Sequence, residues 1–378
     1  KRAKRPGEGV GSRTSVVMVD SVMAELSSAQ QWLQSESCNC TVANRYAPNH
    51  LGVPDRLGHM PHFRAFLCAV ILVCAATPVF AQPFEVVGSR ALGMAGAFVA
   101  VADDASGAFW NPAGLASGQP AGATIEWVRF QSGDRDAAPT RGPWERSTRF
   151  TSLGTWPMGL SYTRVDEVSL VAANTIERFT TQHYGLSILQ TITEGVVIGT
   201  TLKYVRGHVA SSVRDLSSAG EGLEAGRDLD GKGSGAFDLD LSAMYDARVF
   251  RIGATIKNLR SPDFEGPDGL VRELARHSRI GLAILPKAGL TLAIDLDLDT
   301  ADLPTGPQRV LAAGVEHQFT PRVVLRAGAR RNLEGTRATV GAAGASVALR
   351  PGTWLDAHAT MGRSAGERGF GIGLRAGW

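Results

Sequence analysis

The sequence predicts an all-β fold: a transmembrane antiparallel β-barrel of about fourteen strands. Three observations carry that expectation. Segments after Gly118 alternate strictly between apolar and polar residues, as in Leu290-Thr291-Leu292-Ala293-Ile294-Asp295-Leu296-Asp297. Successive strand side chains point to opposite faces, so one face meets something apolar and the other something polar. The segments run to about 10–14 residues, longer than the usual strand of a soluble sandwich and suited to a tilted span of a bilayer. The connections also alternate in length, which a soluble barrel has no reason to do.

Taken in order, the predicted strands are 121–131, 146–156, 158–166, 175–191, 195–207, 235–246, 248–259, 273–285, 289–300, 308–319, 322–331, 337–350, 353–361 and 367–378. Every second connection is tight: Trp156-Pro157, Thr193-Glu194, Asp246-Ala247-Arg248, Pro286-Lys287-Ala288, Thr320-Pro321 and Pro351-Gly352. The others are longer and polar, including 132–145, 167–174, 260–272 and His208 to Ser234. Short periplasmic turns and long outer loops are the pattern of outer-membrane barrels. In lipid an unpaired strand edge costs several kcal/mol per group, so the sheet has to close. Trp127, Trp144, Trp156, Tyr162, Tyr184, Tyr204, Tyr245, Phe319 and Trp354 are expected near strand ends as interfacial girdles. The last segment, ERGFGIGLRAGW, puts Phe370, Ile372, Leu374 and Trp378 on one face, like the assembly signal read by the outer-membrane barrel machinery.

The chain of 378 residues has unlike parts. Residues 1–59 show no sustained period and are expected to be a disordered upstream extension, with translation starting at Met60. Residues 60–81 read as a signal peptide. His62 and Arg64 form a basic end, an apolar run follows, and Val79-Phe80-Ala81 places small residues for cleavage after Ala81. Cys38, Cys40, Cys68 and Cys74 all precede that point, which leaves no disulfide scaffold or cysteine metal site beyond it. Residues 82–378 carry 31 Lys+Arg and 31 Asp+Glu, so there is no basic footprint for nucleic acid.

Between signal and strands stands GSRALGMAGAFVAVADDASGAFWNPAGLASG, from Gly88 to Gly118. It is too glycine-rich for a good helix and too irregular for a strand. It resembles the N-terminus of the FadL superfamily of outer-membrane proteins, most nearly the PorV/TraF-like branch. That branch opens with a G-R-A-x-G-x-G-G-A-F-V-A-V-A-D-D-A-S-x-x-x-W-N-P-A-G-L pattern. Ala95 stands where the second glycine of a pair is usual. The resemblance implies that residues 82–120 are a hatch folded into the lumen of the 121–378 barrel. Arg90, Gly93, Asp103, Asp104, Trp110, Asn111, Pro112, Ala113 and Gly114 fall on residues of the pattern and, with Gly88 and Phe109 beside them, are taken as plug residues. Glycine and alanine suit close backbone approach to a wall, and Pro112 fixes one turn and restricts Asn111. Asp103 and Asp104 are expected to pair with lumen cations such as Arg251, Lys257, Arg326 or Arg330.

The polar strand face carries Asp238, Asp240, Asp295, Asp297, Asp299, Arg251, Lys257, Glu316, Arg326, Arg330 and Arg375. Mixed sign points to ion pairs bracing the wall rather than an ion filter. By resemblance, the barrel moves a hydrophobic, fatty-acid-like small molecule through its plugged lumen, with outer-membrane lipid as its surroundings. The polar 208–234 loop departs from a lipid-gathering one. The alternative is a PorV-like barrel that holds or shuttles an exported protein. His183, His208, His277, His317 and His358 form no nucleophile–base arrangement, so no enzyme is expected. Asp228-Leu229-Asp230-Gly231-Lys232-Gly233 begins like a calcium loop, but Lys232 holds the fifth position and no Glu follows at the twelfth. It reads as a solvated turn. No metal or cofactor is expected.

Overall fold

The computed structural model describes residues 84, 87–140, 142–303, 306–362 and 367–378. The expected upstream extension, the signal peptide and the cleavage point after Ala81 lie outside the described residues. Ahead of the barrel are two short helices, α1 (Ser89–Gly93) and α2 (Gly107–Trp110), and a 3-10 turn at Pro112–Ser117. Then come β1 (Ala121–Ser132), β2 (Trp144–Thr155), β3 (Met158–Ala172), β4 (Thr175–Thr193), β5 (Val196–Val213) and helix α3 (Ala219–Arg227). The rest of the wall is β6 (Lys232–Asp246), β7 (Phe250–Lys257), β8 (His277–Lys287), β9 (Leu290–Asp297), β10 (Val310–Thr320), β11 (Val323–Asn332), β12 (Thr339–Arg350), β13 (Thr353–Gly362) and β14 (Arg368–Gly377). These fourteen strands form one closed antiparallel barrel.

Closure is made by β1 against β14, in register from Gly122 opposite Gly377 to Gln131 opposite Arg368. Ala121 and Trp378 exchange backbone hydrogen bonds at its lower edge. No backbone edge is left facing lipid, as a hydrocarbon surround requires. The alternation read from the sequence sorts as expected. Ile125, Leu160, Leu202, Ile294 and Ile372 are exposed on the outer face, while Thr124, Glu126, Asp238, Asp295 and Arg326 are buried toward the lumen. Phe370, Ile372, Leu374 and Trp378 all stand on the outer face.

The tight turns gather at the end where β1 begins and β14 ends. At the opposite end several expected boundaries shift. The 167–174 connection is not a long loop: β3 runs to Ala172 and β4 starts at Thr175, and their pairing continues to Ala172 opposite Thr175. The polar residues that made 167–174 look like loop, Glu167 and Ser169, face inward, and Glu167 pairs there with Arg146 at 2.7 Å. The hairpin's outer face is covered by α3, whose Ala219 and Leu223 pack on Val168, Leu170 and Ile176. The 208–234 stretch likewise gives its first residues to β5, its middle to α3 and its last to β6. Ser218 caps α3 by accepting from the Glu221 N–H at 3.2 Å. Two small hairpins, Asp263–Glu265 with Val271–Glu273 and Ala301–Leu303 with Gly306–Gln308, lie in the outer connections. Two girdle expectations fail. Trp144 packs inward beside Leu92, Val128 and Phe130, and Trp354 lines the lower mouth of the lumen. Both occupy even positions of strands whose odd positions face out.

Ile188 stands 57 % exposed on the outer face of β4. Ile188→Arg is expected to destabilise the barrel by roughly 2–4 kcal/mol, read as the urea midpoint in lipid vesicles, whereas Ile188→Leu should leave it unchanged.

Candidate functional site

The site is the lumen and the segment lying in it. Residues 87–118 are almost wholly buried although they contain little regular structure. They are buried because the wall surrounds them. Small residues let the backbone come close. Gly93 meets Gly344 of β12, where a Cβ on Gly344 would lie 2.9 Å from the Gly93 Cα. Ala95 adopts φ 58°, followed by Gly96 at φ 89°. This is the position where the resembled pattern has glycine, and a side chain in the left-handed region costs about 1–2 kcal/mol.

Arg90 is the ionic centre. Its Nη1 lies 2.6 Å from Asp103 Oδ1 and 2.8 Å from Asp104 Oδ2, within the same segment. Its Nε and Nη2 fork onto the two oxygens of Glu316 on β10, each at 2.7 Å. Such a bidentate pair is strong and geometrically specific. The network then spreads into the wall. Glu316 also accepts from Arg326 Nε at 2.6 Å. Asp103 reaches Arg251 Nη1 at 3.0 Å, and Asp104 lies 3.6 Å from Arg375 Nε. Burial by itself favours the neutral carboxyl at Asp104, but Arg90 and Arg375 outweigh it and hold the group below the usual carboxylate range.

Further bonds tie the segment around the wall. Asp295 of β9 accepts the Phe98 and Val99 N–H groups, both at 2.8 Å. Glu126 of β1 accepts the Ser89 N–H at 3.0 Å. Asn111 Nδ2 donates to the Val99 carbonyl at 2.9 Å and to the Ala243 carbonyl of β6 at 3.1 Å. The Ala113 N–H meets Ser242 Oγ, and Ser152 Oγ donates to the Ala105 carbonyl at 2.8 Å. Trp110 is fully buried, donates to the Val87 carbonyl at 3.1 Å and packs edge-on to Phe98.

The expected partners of Asp103 and Asp104 are therefore corrected. Of the four cations named, Arg251 reaches Asp103. Lys257 instead lies beside the rings of Phe84 and Phe109. Arg326 serves Glu316 and Ser346, and Arg330 pairs with Glu367 at 2.5 Å. The reach of each strand explains this: Lys257 and Arg330 sit at the outer ends of β7 and β11, away from Asp103. The wall aspartates divide by height in the same way. Asp295 holds the inner segment. Asp238, Asp240 and Asp299 accept the backbone N–H groups of Arg260, Asn258 and Ser278, at the roots of the outer connections. Asp297 joins Arg279 at 2.5 Å and the Val310 N–H at 2.8 Å. Glu126, Ser242, Asp356 and Gly344 went unread because an acidic or small residue on an alternating strand has no local mark of its partner. Asp356 draws Arg375 at 3.0 Å.

Above the segment, between it and strands β3 to β8, is a small cavity of about 50 Å³. Phe84, Phe109, Val165 and Leu274 give it apolar surface, and His183 and Lys257 polar surface. Phe109 packs edge-on to Phe84 and Phe150. Among the described residues no group of His, Cys, Asp and Glu is arranged to hold a metal. Asp228 closes α3, and the residues after it lead into β6.

A family model described as "F plasmid transfer operon, TraF, protein" matches residues 168–297, about a third of the chain. No curated protein matches. Among solved structures, the chain is similar in fold to the CymD monoaromatic hydrocarbon channel, at 16 % identity and TM-score 0.58, over 78 % of this chain and 99 % of that one. The Ralstonia pickettii toluene transporter TbuX matches at 14 % identity and TM-score 0.55, over 78 % and 100 %. A Pseudomonas aeruginosa FadL homologue matches at 11 % and TM-score 0.52, over 79 % and 98 %. At these identities the likeness is one of fold: a closed fourteen-strand barrel of the FadL type.

Arg90→Met leaves Asp103, Asp104 and Glu316 buried without their shared cation. The seated segment is expected to lose about 3–5 kcal/mol, seen as raised single-channel conductance in planar bilayers while the barrel still migrates as a folded species in unheated gels. Conductance equal to that of the unaltered protein would show that the network does not hold the segment. Ala95→Gly is expected to raise the unfolding midpoint by the equivalent of about 1 kcal/mol, and a lower midpoint would contradict the strain at this position.

Proposed function

We propose that this chain is an outer-membrane transport protein that passes hydrophobic small molecules through a barrel plugged by its own residues 88–118. The observation that carries the reading is the buried segment tied by Arg90, Asp295 and Glu126 across a lumen too wide for wall side chains to fill. An apolar outer belt supports placement in the outer membrane, with its lipid as the protein's surroundings. The fold likeness to proteins titled as hydrocarbon channels and a toluene transporter supports a hydrophobic cargo. The cavity above Phe109 is where such cargo would rest before the segment yields. The role is one of passage, not of catalysis. Plug residues Gly88, Arg90, Gly93, Asp103, Asp104, Phe109, Trp110, Asn111, Pro112, Ala113 and Gly114 act as the stopper, and Phe370, Ile372, Leu374 and Trp378 as the signal to the barrel-assembly machinery.

A second reading has its own support. The TraF match over 168–297 and the dense bonding of the segment favour a barrel that stays shut and holds an exported protein. Native mass spectrometry of the detergent-purified chain from its own outer membrane separates the two. The transport reading expects a co-purified small hydrophobe that Phe109→Asp expels. A bound protein with an empty lumen would replace it with the scaffold reading.

A further inference from the structure

The outer face of β2 to β6 is ordered in three successive rows. Strand register puts Leu160, Leu186, Leu202 and Leu239 opposite one another. One step toward the outer end, Tyr162, Tyr184, Tyr204 and Phe237 form the next row, with ring centroids 5.2, 6.4 and 5.2 Å apart. One step further the row reads Arg149, Arg164, Gln182 and Arg206, and it begins at Trp127 of β1. The surface thus changes from aliphatic to aromatic to cationic within four residues of each strand. That is the succession a lipid presents from acyl chain to interface to headgroup.

The cationic row is not neutralised by the chain. Arg149 lies directly opposite Arg164, an unfavourable like-charge pair on one face. Asp166 takes Arg164 at 2.8 Å and also Arg178 at 3.2 Å. Glu145 is shared by Arg129 and Arg135, each at 3.2 Å, and by Arg227. Arg135 also reaches Glu224 at 3.1 Å, so five guanidiniums share three carboxylates. Arg149 and Arg206 are exposed and meet no carboxylate within ion-pair distance among the described residues. Arg368, also exposed, extends the positive edge one step beyond Phe370 on β14. Toward the same ends of β7 and β9 the outward residues are Ile256 and Leu296, and β11 carries a single arginine there, Arg331.

We propose that this row is a binding site for the phosphate groups of an outer-leaflet lipid. One phosphate sits between Arg149 and Arg164, Arg206 takes a further phosphate oxygen, and the acyl chains lie on the tyrosine and leucine rows. A phosphate fits because its oxygens accept forked N–H donors from more than one guanidinium. A lipid is the source because the two apolar rows adjoin the cations on the same strands. This site is independent of what passes through the lumen.

The probe is dioleoyl phosphatidic acid, with dioleoyl phosphatidylcholine as control, added to the detergent-purified protein. Native mass spectrometry should show phosphatidic acid retained and phosphatidylcholine lost, and the thermal midpoint should rise with the former only. Arg149→Gln/Arg206→Gln should lower retention about tenfold, while Arg331→Gln on β11 leaves it unchanged. Equal retention of both lipids, or equal retention by the double variant and the unaltered protein, overturns the site. So does an equal loss in Arg331→Gln, since net charge alone would then explain binding. Should the glutamine variant fail to fold, added salt provides the second measurement on the unaltered chain. Phosphatidic acid retention should fall steeply with salt, and salt-independent retention overturns the proposal.

Discussion

Everything in this molecule follows from the need to pair every backbone N–H and C=O of a sheet surrounded by hydrocarbon. The β1–β14 ladder answers that need by closing the wall. Closure at fourteen strands has a second consequence, because lumen width grows with strand number. Side chains reaching inward from a wall this wide do not meet across it. The polar inner faces would be left with unpaired carboxylates and guanidiniums around an open core. Residues 87–118 resolve both problems, filling the space with small side chains and supplying the bonds that Asp295, Glu126 and Glu316 require.

The seating of that segment combines two kinds of contact with different physical demands. Close approach, as at Gly93 against Gly344, needs the absence of side chains and stabilises through packing. The Arg90 cluster needs the opposite, a long cation placed among three carboxylates inside the lumen. A buried charge is tolerable there only because the fork onto Glu316 and the contacts to Asp103 and Asp104 satisfy it together. Ala95 shows the tension between the two, keeping a Cβ where the backbone turns into left-handed space. A segment held by ion pairs that span several strands is firmly placed, yet the interactions belong to few residues.

Much of the fold could be read from the chain, because alternation with a period of two is local and directional. Asp295, Arg251, Lys257 and Arg326 were placed on the polar face by that pattern, and the barrel turns that face inward. The strand number and the end at which the tight turns collect were legible for the same reason. Trp144 and Trp354 were misassigned when strand-end position was weighed without parity. The 208–234 stretch was misread because its polarity reflects height above the apolar band rather than loss of pairing, and 167–174 because its polar residues Glu167 and Ser169 point inward. The coverage of Val168, Leu170 and Ile176 by α3 had no local sign.

The sequence by itself determined the closed membrane barrel, its strand count, its two faces and the peculiarity of residues 88–118, since each depends on neighbours a few positions apart. Tertiary structure alone decided who meets whom across the lumen. Arg90 stands 226 positions from Glu316, and Asp295 about 197 from Phe98. Their pairing follows from the stagger of fourteen strands and the path of the inner segment. The same is true outside, where Arg149 and Arg164 oppose one another only because β2 and β3 are in this register. Period and composition specify which way a side chain points. Register, set by the closed sheet as a whole, specifies what it finds there.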